Sequence, residues 1–437
     1  LAFSQEMDTL ACGHRTPSTG RFCAHLLADE DASFHVRFTG RGLHHDLVGG
    51  ACAKAGAQED ALVAVCEACM QARISSVFDV EGVIGRPEVR SRPTTLRFEH
   101  REHRLPALTG AEIRAVAALE DSLRPRWLAL TERGELLRVD LDDGGVTRLT
   151  SIGAEGLELA EPLAVHASPC GRFAAVVNVK GQRGVVVELE SGAVTLRLDR
   201  GRYHIEHCAF SVAFFRDGES TRLVHATAWN RLDLSDPATG QLLTPRDTTW
   251  RRKQGEPRTA HELDYFHCGL TVSPDGEWLV DDGWVWTPVG VLRSFNLRRW
   301  ARENVWESED GPSVKELRSC SYFWDAPRCF VGERTLAAWG FGGDDLHMVD
   351  AAMLFDVESG KLLRWFAGAP RGEFRLALDY LLTSAKGHGT SIWDVETGER
   401  LHHDPDFLPW GHHRGARRFL TVVGGGVLRE SWLLGEG

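Results

Sequence analysis

An apolar run ending in an acid, with glycine four positions on, recurs five times between residues 140 and 398. Turns of the Ser-Pro-Asp-Gly kind precede several of these runs. Together they predict a mainly β fold, a β-propeller of short antiparallel sheets, with seven blades the simplest count. A third observation sets the start of the chain apart. Five of its ten cysteines fall in the first 70 residues, most of them interleaved with histidine or paired at metal-ligand spacing. That predicts a small N-terminal α+β metal-binding module over residues 1–78, followed by the propeller over 79–437. No role is assigned to residues 1–6, which precede Met7.

The head comes first in the chain. Its ligand-type residues read Cys12-Gly-His14, Cys23-Ala-His25, Cys52 and Cys66-Glu-Ala-Cys69, with His35, His44 and His45 in reserve. Zinc takes four tetrahedral Cys and His ligands, usually as two short-range pairs. The simplest partition makes one site from Cys12, His14, Cys23 and His25. A second then takes Cys52, Cys66 and Cys69 with His45 or His44. An equally admissible partition joins Cys23 and His25 to Cys66 and Cys69 in a single site, so one or two structural zinc ions are expected. Gly49 stands where a cysteine would complete a matched pair with Cys52. The stretch Glu59–Arg73, apolar at Leu62, Val63, Val65 and Met70, reads as a short helix carrying the ligand pair. A segment of ~70 residues rarely builds enough core unaided, so metal ligation would supply much of its folding free energy. The competing reading is a small helical domain with buried cysteines and surface histidines.

From about residue 110, short β-branched and aromatic runs alternate with turn clusters. The recurring phrase is Asp140-Leu-Asp-Asp-Gly144, Glu188-Leu-Glu-Ser-Gly192, Asp236-Pro-Ala-Thr-Gly240, Asp356-Val-Glu-Ser-Gly360 and Asp394-Val-Glu-Thr-Gly398. Each suits a hairpin whose glycine takes positive φ while the acid accepts from nearby backbone N–H groups. The glycines are 48, 48, 120 and 38 residues apart, and Val291–Asn296 supplies a sixth copy, without its glycine, inside the long gap. The second phrase is Ser168-Pro-Cys-Gly171, Arg216-Asp-Gly218 and Ser273-Pro-Asp-Gly276. With Trp393-Asp394, and Phe355-Asp356 in the place of Trp-Asp, residues 95–437 resemble the WD40-like β-propeller superfamily. The Gly-His signal that usually precedes each blade is missing. A last, partial blade at Phe419–Leu434 lacks an outer strand, which Thr94–His100 is placed to supply, closing the ring.

Composition narrows the partners. The net charge is −12; the first 75 residues carry six Lys/Arg against nine Asp/Glu, and the rest 44 against 53. Duplex binding needs a basic stripe, and Arg251-Arg252-Lys253 is too short to make one, so nucleic acid is not expected. No window reaches the ~20 apolar residues of a membrane span. No export signal is visible in these first residues, so a reducing, cytoplasmic setting where clustered cysteines hold metal is expected.

Catalytic templates fit poorly. The zinc deaminase pattern needs His-x-Glu ahead of Pro-Cys-x-x-Cys. Here His100-Arg-Glu102 follows the cysteine pair and Val65 precedes it. His261-Glu262 has Tyr265 where a second histidine would stand. Binding residues are expected where blade loops share one face: Trp229, Asn230, Asp281, Asp282, Trp284, Trp286, Asp344, Asp345, His347 and His388. The connection Arg246–His267 is expected on that face, and Ala301–Ser319 on the other as a mobile loop. The bland reading makes the tryptophans blade packing and the acids turn caps. The leading functional reading is a non-enzymatic scaffold that binds a protein or peptide on the propeller face. One alternative is an enzyme using Asp281, Asp282, Asp344, Asp345 and His347 at the propeller mouth. Another is a zinc- or redox-responsive regulator.

Overall fold

The computed structural model describes residues 9–15, 18–29, 32–41, 44–49, 52–53, 62–74, 80–84, 88–121, 123–153, 155–247, 260–286 and 288–436. In the head, β1 (Ser18–Cys23), β2 (Phe34–Arg41), β3 (His44–Gly49), β4 (Leu62–Cys66) and β5 (Val80–Ile84) form one mixed sheet in the order β4-β1-β3-β2-β5. The run Leu62-Val-Ala-Val-Cys66 is a strand rather than the expected helix. It pairs antiparallel with β1, Val63 opposite Phe22 and Val65 opposite Gly20. A short run with valine at alternate positions, offered a free strand edge, takes that edge. Helix α1 (Glu67–Ile74) begins only after Cys66, so the Cys66/Cys69 pair straddles a strand–helix junction. β5 pairs in parallel with β2, which carries the head past the expected boundary at 78 to Ile84.

Seven antiparallel sheets follow among the described residues. Blades 1 to 6 occupy 113–151, 163–199, 212–235, 270–321, 328–367 and 373–404. Blade 7 takes three strands from 411–434 and its fourth from β6 (Arg97–Arg104), which pairs antiparallel along its whole length with Val427–Leu434. The closing strand thus lies three residues beyond where the sequence placed its start. Ahead of it, Arg90 and Arg92 bond Thr397 and Asp394, fastening the incoming chain to blade 6. The innermost strands of blades 7, 1, 2, 3, 4, 5 and 6 touch in that order, and blades 6 and 7 share a core of Leu382, Ile392 and Phe419.

The repeated phrases fold as their chemistry requires. Gly144, Gly192, Gly240, Gly360 and Gly398 all have φ between 68° and 77°. The acid accepts from the turn backbone, as Asp356 does from Ser359 N (2.7 Å) and Asp394 from Glu396 N (2.8 Å). Blade 3 has three strands among the described residues; beyond them Leu243 N donates to Leu234 O, and Thr244 Oγ1 caps Leu234 N.

The 301–319 insertion is packed. Helix α2 (Leu297–Arg302), capped by the Asn296 side chain, leads into helix α3 (Glu307–Asp310). Glu307, Ser308 and Glu309 are buried. Glu307 accepts from Ser313 N (2.9 Å) and Asn304 Nδ2 (2.9 Å), and Glu309 pairs with the buried Arg246 guanidinium. Arg246 also bonds Asp233 (2.7 Å) and lies 5.8 Å from the rings of both Trp300 and Trp306. On the far side of residues 248–259, which lie outside the described residues, His261 stacks on Trp306 (4.2 Å) and bonds Asp310 (2.8 Å). Both described stems of the 246–267 connection therefore rest on this insertion, and its end at Phe266–His267 bonds the backbone of Trp284 and Trp229.

Head and body share a core. Phe22, Leu26, Phe34, Val36, Leu47, Val65 and Met70 form one continuous apolar cluster with Trp278 and Leu292 of blade 4 and Leu336, Met353, Phe355 and Trp365 of blade 5. Helix α1 touches both β1 and the outer strand Leu362–Ala367. No helix among the described residues is long and apolar enough to cross a membrane.

Candidate functional site

Two ligand clusters stand in the head. Cys12, His14, Cys66 and Cys69 present donor atoms all within 4.8 Å of one another, and Cys23, His25 and Cys52 do the same. His14 Nδ1 is 3.5 Å from both Cys66 Sγ and Cys69 Sγ, and His25 Nδ1 is 3.7 Å from Cys52 Sγ. A tetrahedral ion with thiolate arms of ~2.3 Å and imidazole arms of ~2.0–2.1 Å has sulfur–nitrogen edges of about 3.5 Å. Both spacings suit that geometry. All ten cysteines are free.

The pairing is nested, first motif with last, and corrects the sequence partitions. β1 lies between β3 and β4, with Cys23 at one end and Ser18 level with Cys66 at the other. The sheet therefore holds Cys12 and His14 near Cys66, and Cys23 and His25 near the end of β3. His45 lies level with Gly20, three positions from Cys23 along the sheet, about 10 Å at strand rise. Its backbone thus sits away from Cys52, Cys66 and Cys69. Gly49 packs against His25, for a Cβ there would lie 2.1 Å from His25 Nε2. Burial opposes ionisation of Cys12, but backbone N–H groups of Cys66 and His14 outweigh it and bring the thiol down to about 6. Burial and the neighbouring thiols push Cys69 up to about 12.

On the propeller, the predicted residues divide. Asp281 and Asp282 are buried in the second strand of blade 4, wedged between neighbouring blades. Asp281 bonds His267 Nδ1 (2.5 Å) and Cys268 N (3.2 Å). Asp282 accepts from Ala326 N (2.7 Å) and Arg328 (3.4 Å), and burial raises its carboxyl although Arg328 and Arg318 oppose that. Both carboxylates are engaged by partners within the protein. Alternation along the strand cannot reveal this, since this strand is covered on both faces. Asn230 Nδ2 donates to Leu263 O, tying down the incoming connection. Asp344 bridges to Ser321, and Asp345 lies 3.8 Å from Arg371. His347 ends the short 3₁₀ turn Asp345–His347, its side chain outside the described residues. His388 is exposed at a hairpin tip on blade 6, beside a 680 Å³ cavity lined by Arg114, Lys386, Leu408 and Trp410.

The tryptophans belong to an aromatic stack that the sequence reading only partly named. Tyr203, Phe266, Trp284 and Trp324 lie ring on ring, at 5.7, 4.0 and 5.1 Å. Trp229 tilts on Phe266 at 4.3 Å and Trp286 meets Trp284 edge-on at 5.0 Å. Trp284 is buried, its Nε1 donating to Cys208 Sγ (3.1 Å), whereas Tyr203 and Trp286 are about half exposed. Tyr322, held through its N–H by Pro288 O, and Leu346 are also exposed, in loops of blades 4 and 5. Aromatic residues recur in successive blade-to-blade connections, at 203, 266 and 324, beside those in the second-to-third-strand loops at 229 and 286, and that recurrence is the signal that marks Tyr203, Phe266 and Trp324.

No family model and no curated protein matches this chain. A solved structure titled "Crystal Structure of Mitotic Checkpoint Complex" resembles it with a TM-score of 0.48 and 12% identity, covering 80% of this chain and 96% of that one. At that level of likeness, a functional reading rests on this chain's own side chains.

Proposed function

We propose that this protein is a non-enzymatic interaction scaffold whose propeller face takes a protein or peptide partner. The observation that carries the reading is the ridge of Tyr203 and Trp286, exposed by 51 and 49%, on a stack of rings already immobilised. Rigid aromatic side chains supply large contact area at low entropic cost, and they dominate interface hot spots. The enzyme reading loses support, because Asp281 and Asp282 are committed to buried partners.

The head is proposed as a structural zinc module in a reducing, cytoplasmic setting, one ion on Cys12, His14, Cys66 and Cys69 and a second on Cys23, His25 and Cys52. Four donors at tetrahedral spacing support the first, and three support the second. The test is a capture experiment comparing the wild type with Tyr203→Ser/Trp286→Ser. The expected result is a protein partner retained by the wild type and lost by the variant at unchanged thermal stability. Equal retention by both would overturn the reading.

A further inference from the structure

The loop between blades 2 and 3 carries His204-Ile-Glu-His207, a string that neither the scaffold reading nor the head explains. His204, Glu206 and His207 present donor atoms all within 4.8 Å of one another. Glu206 Oε1 lies 3.6 Å from His204 Nδ1 and 3.4 Å from His207 Nε2. Those distances are long for hydrogen bonds. They match the roughly 3.4 Å edge of a tetrahedron whose nitrogen and oxygen arms are ~2.0–2.2 Å. One carboxylate oxygen thus gathers two imidazoles at the spacing of a shared ion.

The backbone is bent to make this cluster. His204 has φ 53° and ψ 31°, left-handed values that a residue with a Cβ adopts at a cost of order 1 kcal/mol or more. The bend leaves His204 Nδ1 shut off from solvent without a hydrogen-bond partner. The cluster is also walled. Trp286 meets His204 edge-on at 5.2 Å, Trp284 lies 6.1 and 6.5 Å from the two imidazoles, and Trp324 Nε1 holds the His207 carbonyl at 2.8 Å. Side chains set on a rigid support and screened on one side are what a metal site needs.

We propose that His204, Glu206 and His207 form a divalent transition-metal site on the propeller face, two imidazoles and one carboxylate holding an ion of the zinc class. Two nitrogens and one oxygen suit zinc, cobalt or nickel rather than calcium or magnesium. Three protein ligands leave a coordination position for water or for a donor group of an incoming ligand. The site is separate from the thiolate clusters of the head and stands whether or not the ridge binds a protein.

The test uses the full chain with its thiolate sites filled by zinc, titrated with cobalt(II). One further equivalent of cobalt is expected, without the thiolate-to-cobalt charge-transfer band that binding in the head would produce. Glu206→Gln and His207→Asn should each weaken that equivalent at least about tenfold, since even an outer-shell partner is worth that much. Glu206 and His207 side chains are 61% and 54% exposed, so an unchanged near-ultraviolet spectrum is expected of both variants. Absence of the further equivalent, its survival in both variants, or its arrival with a thiolate band would each overturn the proposal.

Discussion

A Cβ built on Gly49 would lie 2.1 Å from Nε2 and 2.6 Å from Cε1 of His25. The atoms in its way belong to a movable ring, so the collision displaces the imidazole rather than the sheet. The prediction for Gly49→Ala is a protein that folds but loses one zinc equivalent, the one on Cys23, His25 and Cys52. Metal analysis after dialysis checks it, and undiminished stoichiometry would contradict it. His412 offers a second prediction at this scale. Burial, then the positive Arg375 and Arg414, bring its imidazole down to about 3, while its ring stacks on Phe419 at 4.5 Å. The unfolded chain, with an ordinary value near ~6.5, takes up the proton first. The stability His412 contributes is therefore complete above pH ~6.5 and is lost as pH falls towards the folded value. The ring is only partly buried, so its share between pH ~6.5 and ~4 is about 1–2 kcal/mol after solvent screening. His412→Gln should flatten the acid limb of the melting-temperature profile, and an identical limb would count against the assignment.

At the scale of elements, α3 and the Arg246 stem form one unit. Arg246 is buried between two tryptophans and neutralises both Asp233 and Glu309, while Asp233 keeps Arg231 as a second cation. Removing one member of a buried ion pair typically costs ~3–5 kcal/mol because the other charge is stranded. Arg246→Met should lower stability by that order in chemical denaturation, and Arg246→Met/Glu309→Gln should recover part of it. A double variant no better than the single one would show that Glu309 is not the stranded group. This unit also marks where sequence legibility ends. The hairpin phrases were readable because acid, turn and glycine are local. The burial of Glu307–Glu309 was not, since the arginine that permits it lies some sixty residues upstream. Cys12, His14, Cys23, His25, Cys52, Cys66 and Cys69 were legible as ligand types, but their nested pairing depends on β1 lying between β3 and β4. Asp281 and Asp282 read as site residues because pattern alone cannot separate a carboxylate in a seam between blades from one at a pocket mouth.

For the whole molecule, the shared core makes the head a stabiliser of one sector of the ring. Met70, one residue past Cys69, belongs to the same apolar cluster as Trp365, and α1 lies against the outer strand of blade 5. Cys66 and Cys69 fix the start of α1, so an ion on the first cluster holds the helix that covers that strand. Blades 1 and 2 pack around a separate cluster of Leu128, Leu130, Val176 and Val185, which no described head residue joins. Metal removal should therefore act regionally. Chelation under reducing conditions should raise amide exchange across 18–49 and 62–74 and, through the lost cover, across 362–367 and the adjoining strand of blade 5. Exchange in blades 1 and 2 should stay unchanged, since local opening follows contact density. Cys66→Ser should reproduce the pattern without chelator. Unaltered protection at 362–367 would mean that the apolar contact alone docks the head, whereas loss of protection throughout the ring would mean that the propeller depends on the head to close.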